Sequence, residues 1–226
     1  MNNIEKIRLK LSLIIPVLFL LIMWSVKFIE YSLHLNLYVY GIYPHRINCL
    51  TGIITAPFIH GSFEHLMSNT IPFFLLGTAI FYFYKESAYK VFLFIWIFSG
   101  FWVWLAARPA YHIGASGMIY GFASFLFFSG LINKNRSLAS LSLLIVFIYG
   151  SMVWGVLPMK PEISWESHLF GAITGLILAL IFAPKKIKII EDTDEEPDYI
   201  NDFSSPEISD KTINKVIYHL KEKDNS

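Results

Sequence analysis

The decapeptide HIGASGMIYG, residues 112–121, sets one serine, Ser116, among three glycines at the mouth of a very apolar run. A hydroxyl is a weak nucleophile unless an adjacent base takes its proton. His168, in ISWESHLFGAITG, is a candidate for that base. A third stretch, FEHLMSN, places His65 and Asn69 four residues apart, one helical turn, where both could donate hydrogen bonds to an oxyanion. The Ser116 N–H, exposed at a helix start, would be a further donor. Tyr120, one turn below Ser116, could hold the imidazole in place. Together these groups could carry out acyl transfer, provided the fold brings them to one point.

The elements that must do so are membrane helices. Of 226 residues, 55% are apolar and only 15% charged, with a mean hydropathy of +0.53; a soluble domain carries about 25% charged residues. A span needs about 20 mainly apolar residues. The sequence predicts six, over 11–33, 66–84, 89–106, 113–132, 138–157 and 163–183. The first is too long for a signal-peptide core and lacks a small-residue cleavage site, so it is read as retained. Lys6, Arg8, Lys10, Lys85, Lys90, Lys134, Arg136, Lys185, Lys186 and Lys188 fall on one side. Arg46, Arg108 and Lys160 fall on the other, with Lys27 ambiguous. Positive charge marks the cytoplasmic side, so both termini are expected there. Spans two, four and six then run inwards from the outer surface. His65, Asn69, Ser116 and His168 all lie near their starts, roughly 5–10 Å below the outer boundary at the helical rise. Polar groups inside a membrane are costly and point to function.

Spacing tightens the case. Gly117 and Gly121 form one GxxxG, Gly171 and Gly175 another, and small residues four apart let helix backbones approach closely. If spans four and six pack through them, the Ser116 hydroxyl and the His168 ring come within hydrogen-bond reach. A serine or a GxxxG in a membrane helix is ordinarily packing, and Asn69 could simply bond a backbone carbonyl; neither reading explains a shared depth.

Three regions complete the domain plan: a cytoplasmic N-terminus over 1–10, the helical domain over 11–184, and a cytoplasmic tail over 185–226. The connection from 34 to 64 is long and too apolar for disorder, so it is expected to fold at the outer interface. The tail opens with nine acidic residues and no basic one between 191 and 210, which reads as disordered. Asp210 could then cap a short helix with Ile213, Val216, Ile217 and Leu220 on one face. The net charge of +1 offers no basic stripe for nucleic acid, and Cys49, the single cysteine, allows no internal disulfide.

Other chemistries fit less well. His60, Glu64 and His65 occur in the order H-x-x-x-E-H, not the H-E-x-x-H that puts two zinc ligands and a base on one helix face. G-A-S-G without a preceding strand is not the α/β-hydrolase elbow. A transporter would show interrupted helices and buried charge near mid-membrane.

The blocks HGSFEHLMSN (60–69), GASGMIYG (114–121) and SHLFGAITG (167–175) resemble the three signatures of the rhomboid intramembrane serine proteases, in the family's order and on its second, fourth and sixth helices. The resemblance covers roughly residues 43–183. It implies an all-α, six-transmembrane-helix bundle with a long first outer loop, in a cell membrane, here taken as a bacterial inner membrane. It implies Ser116 as nucleophile and His168 as general base, a dyad without a carboxylate. His65, Asn69 and the Ser116 amide would form the oxyanion hole, and Tyr120 would stack on His168. Gly114, Gly117, Gly121, Gly171 and Gly175 would support the packing. No cofactor or metal is implied; the partners are transmembrane protein substrates and the lipid bilayer. The alternative within the same fold is a non-catalytic adaptor that binds transmembrane segments, which would lack the serine or histidine. A tryptophan–arginine pair found in the first loop of some members is missing, and Arg46 is the nearest candidate for its role. Glu166, two residues before His168, faces away from the ring on an ideal helix and is not taken as a triad acid.

Overall fold

The computed structural model describes residues 3–134, 136–148, 157 and 164–182. The chain separates into two units, Met1–Lys188 and Ile189–Ser226, and every described residue belongs to the first. Among the described residues the fold is helical: α1 (Asn3–Ser32), the short α2 (Gly52–Thr55), α3 (Phe63–Phe83), α4 (Ala88–Ala106), α5 (Ser116–Ile132), α6 (Arg136–Ile148) and α7 (Trp165–Phe182). Among the described residues one isolated bridge between extended segments joins Ile42 to His112.

Among the described residues four helices, α1, α3, α4 and α7, are long and apolar enough to cross a membrane. In hydrocarbon a helix satisfies its own backbone, which is why helical runs persist through these apolar stretches. The first runs further than its hydropathy suggests: α1 begins at Asn3, and Arg8 Nε donates to the Tyr82 carbonyl at 2.8 Å, tying its start to the end of α3. α3 starts at Phe63 because Ser62 caps it, its hydroxyl accepting from His65 N at 3.1 Å. The fourth expected span also shifts. α5 begins at Ser116 rather than 113 and has 17 residues, about 25 Å at the helical rise. Residues before it are held extended by the bridge to Ile42, and Gly114 sits at φ +101°, outside helical geometry. α6 covers the described part of the fifth expected span. Most of residues 149–163, and the tail beyond 182 with its short amphipathic helix, lie outside the described residues.

The 33–62 connection is folded. It contains short helical turns at Leu37–Tyr40, Ile47–Cys49 and Ala56–Phe58 besides α2. Its carbonyls take hydrogen bonds from the α4 indoles: Trp96 Nε1 to Ile53 at 3.1 Å and Trp104 Nε1 to Arg46 at 3.0 Å. The Arg46 guanidinium lies over the Tyr43 ring at 3.8 Å. Behind the loop, Phe19 of α1 contacts Phe58, Phe73, Phe92 and Trp96, so one ring joins α1, the loop, α3 and α4.

α5 and α7 make the closest approach of the fold. A Cβ on Gly171 would stand on the Gly117 carbonyl oxygen, and one on Gly175 on the Gly121 carbonyl oxygen. On the α5 side, a Cβ at Gly117 would sit 3.1 Å from the Ser167 carbonyl oxygen, and one at Gly121 would meet Ile95. Backbone therefore packs on backbone at these levels. Ser124 Oγ adds a hydrogen bond across the same seam, to Ala172 O at 2.7 Å.

Because the obstacle at Gly171 is backbone, repacking a side chain cannot relieve it. Gly171→Ala is expected to destabilise the fold by about 1–3 kcal/mol, the usual cost of overpacking. Reversible unfolding in mixed micelles measures it, with Ala172→Gly as a control on the same helix that should cost about 1 kcal/mol or less. Wild-type stability in Gly171→Ala would mean the seam is looser than drawn.

Candidate active site

Ser116 is the first residue of α5, and the first hydrogen bond of that helix runs from Ile119 N to Ala115 O. The N–H groups ahead of Ile119 thus have no partner within the helix, as at any helix start. His168 is the fourth residue of α7 and is buried. Its Nε2 lies 2.8 Å from Ser116 Oγ. Tyr120, one turn along α5, stacks on the imidazole with ring centroids 4.2 Å apart and an 8° interplanar angle. A near-parallel ring at that distance leaves the imidazole little freedom to rotate away from the serine.

α3 contributes next. The His65 ring lies beside Gly114, two residues ahead of Ser116: a Cβ on Gly114 would come 2.9 Å from His65 Cε1 and 3.1 Å from Nε2. Gly114 is thus required twice, for its positive φ and for the ring that fills the place of a side chain. Its N–H donates to Ala56 O at 2.9 Å, anchoring the serine segment to the first loop. Asn69 is buried one turn further along α3, and one N–H of its amide goes to the His65 carbonyl at 3.0 Å. The local bond foreseen for Asn69 therefore exists, and it uses one of the two amide hydrogens.

Glu166 turns away from His168, towards the loop before α5. It is buried, and its Oε1 lies 3.4 Å from both the backbone N and Nε of Arg108. His60 and His65 stand edge to face, with centroids 5.1 Å apart. Glu64, between them in sequence, is exposed. Among the described residues no three of His, Cys, Asp and Glu converge as metal ligands would.

Several residues here carry no sequence signal beyond their type. Lys27 is buried, and its Nζ donates to Glu30 Oε2 and to the His60 carbonyl, both at 2.8 Å. Glu30 Oε1 in turn accepts from Leu37 N at 3.2 Å. One ion pair on α1 thus holds both ends of the first loop, including the residues that lead into α3. His112 belongs to a second network with Ser164 and Ser167. The histidine in HIGASG and the serines of ISWESH were visible in the sequence, but their residue types alone did not link them.

The sequence matches the rhomboid domain family over residues 48–185. The chain belongs to the rhomboid family. This rhomboid is 33% identical over 178 residues to an uncharacterised protein of Mycobacterium bovis, covering 74% of each chain. It is 29% identical over 130 residues to a protein of Acanthamoeba polyphaga mimivirus named as a candidate rhomboid protein, covering 55% of this chain and 71% of that one. With a Bacillus subtilis protein named as a candidate rhomboid protease it shares 28% identity over 144 residues, 59% of this chain and 68% of the other. The matched region contains the serine, both histidines and the asparagine described above.

The loop histidines make stability depend on pH. Burial, reinforced by the neighbouring His65 ring, pulls His60 down to about 3. Burial also lowers His112. An unfolded chain binds these protons near pH 6.5, whereas the folded one resists them, so the unfolded state gains stability as acid is added. The melting temperature in detergent is expected to be highest above about pH 6.5 and to fall as the pH drops from there towards about 3. His60→Phe should flatten that fall; an equally steep curve would exclude His60 as its source.

Proposed function

We propose that this rhomboid is an intramembrane serine endopeptidase that cleaves membrane-anchored proteins in or next to a transmembrane helix, using Ser116 and His168. The 2.8 Å contact between His168 Nε2 and Ser116 Oγ, under the stacked Tyr120 ring, carries the reading. His168 Nε2 accepts the hydroxyl proton as Ser116 Oγ attacks the scissile carbonyl carbon. The carbonyl oxygen, now an oxyanion, is held by the Ser116 N–H, the His65 ring and the second amide hydrogen of Asn69. His168 returns the proton to the leaving amine, and the acyl-enzyme forms. Water then attacks that ester while His168 takes its proton; the carbonyl C–Oγ bond breaks, His168 passes the proton to Ser116 Oγ, and the carboxyl product leaves. Substrate segments that unwind readily are favoured, because a carbonyl engaged in its own helix is closed to attack.

Covalent labelling of the purified protein by a fluorophosphonate probe tests the nucleophile. Wild type should label and Ser116→Ala should not. His168→Ala should also be silent, and Ser116→Ala, His168→Ala should cleave a transmembrane substrate no worse than either single variant, since the two act as a unit. His65→Ala or Asn69→Ala should each lower turnover about 10²–10³-fold yet leave measurable cleavage. A wild-type protein that binds transmembrane segments but neither labels nor cleaves would be the adaptor instead.

Orientation is proposed from the charge bias, with both termini cytoplasmic. Reporter fusions after Lys134 should read cytoplasmic, and fusions within the 34–60 loop external. The opposite pattern would put the dyad near the wrong face of the membrane.

A further inference from the structure

His112 takes no part in the chemistry above, yet it is among the most buried polar residues, 2% exposed. Its Nε2 lies 3.1 Å from the Arg108 carbonyl oxygen and its Nδ1 2.5 Å from Ser164 Oγ. A carbonyl can only accept, so Nε2 carries the hydrogen. In the neutral ring Nδ1 is then the acceptor, and Ser164 must give it the hydroxyl hydrogen. Ser164 Oγ is left to accept, from Ser167 Oγ at 2.6 Å and from Ser167 N at 3.4 Å. The whole chain therefore has one direction, Ser167 to Ser164 to His112 to Arg108. Every hydrogen in it is used.

The ends of this chain fall on the two arms of the dyad. His112 precedes Ser116 by four residues, and Ser164 precedes His168 by four. The 112–164 and 116–168 contacts therefore span the same 52 residues. His112 is also fixed on its other side, where its N–H and C=O bond both backbone groups of Ile42 at 2.8 and 3.0 Å. Ser164 caps the start of α7 through Ser167 N, and its carbonyl accepts from His168 N at 3.4 Å. Below this level the glycine seam sets how near the helices come, and the Ser124 hydroxyl ties its lower part through Ala172 O at 2.7 Å. The directional hydrogen bond one turn above the dyad adds a restraint at the end where Ser116 and His168 meet.

We propose that His112 is a positioning residue for the proposed reaction: in its neutral Nε2–H form it latches the segment leading into Ser116 to the cap of the helix that carries His168. The proposal rests on the protease reading and adds to it the element that fixes the serine–histidine register. Charged groups face the latch from both sides, Arg108 from its own loop and Glu166 from α7. Burial holds His112 below the ordinary histidine range, which favours the neutral form the latch needs.

Ser164 caps a helix as well as holding the latch, and the test must separate the two. Fluorophosphonate labelling and cleavage of a transmembrane substrate are measured for wild type, His112→Phe, Ser164→Ala, Ser164→Thr and the double variant His112→Phe, Ser164→Ala. Small misplacement of reacting groups costs up to about 10²-fold. His112→Phe and Ser164→Ala should each lower kcat about tenfold to hundredfold, with KM within twofold of wild type. Ser164→Thr, which keeps the hydroxyl, should restore most of the rate. The double variant should be no slower than the slower single one. Rate losses that multiply in the double variant, or a Ser164→Thr no better than Ser164→Ala, would overturn the latch while leaving the protease reading intact. No labelling of folded wild-type protein would overturn the protease reading and the latch with it.

Discussion

Contact between two backbones is the constraint on which the rest of this structure depends. Gly117 and Gly121 on α5 face Gly171 and Gly175 on α7 so closely that a methyl group on either of the latter two would overlap a carbonyl oxygen. Lipid offers no hydrophobic drive for one apolar helix to leave it for another, so association must come from close packing and hydrogen bonds. The glycines meet that need, and their effect on the site is geometric. Serine and histidine side chains are short. Only helices whose backbones nearly touch can bring Ser116 Oγ and His168 Nε2 to 2.8 Å without bending either helix.

The seam alone leaves the site under-determined, and the polar groups around it remove the remaining freedom. Gly114 bonds Ala56, His112 bonds Ile42, Ser164 and Arg108, and Lys27 bonds the His60 carbonyl. Each bond joins the serine segment, α7 or α3 to a loop or to another helix. A buried donor left unpaired costs about 1–3 kcal/mol, so these groups resist displacement more stubbornly than apolar contacts of similar size. The first loop consequently acts as structure. It supplies the carbonyls to which the lysine, the indoles and Gly114 are fastened.

A site so built has a division of labour across the chain. α5 carries Ser116 and the ring that stacks on the imidazole; α7 carries His168; α3 brings His65 against Gly114. The acid two residues before His168 is turned to Arg108. Tyr120 stacks on the imidazole, and the register of α7 sets where it stands.

Much of this was legible in the sequence because the signals are local. A run of apolar residues long enough to span lipid, a glycine every fourth residue and a polar group at a helix start are each properties of a short stretch. They sufficed for a helical membrane protein, for three convergent blocks and for Ser116, His168, His65, Asn69 and Tyr120 as the residues to watch. Hydropathy could not set the start of α5: residues 113–115 are as apolar or small as those after them, and only pairing with Ile42 and the positive φ of Gly114 hold them out of the helix. Nor could it show that Lys27 turns inwards to the His60 carbonyl, or that His112 reaches Ser164 across 52 residues. Contacts of that kind depend on where one backbone lies relative to another. Periodicity says which face a side chain occupies, and the packed tertiary structure alone decides what that face meets.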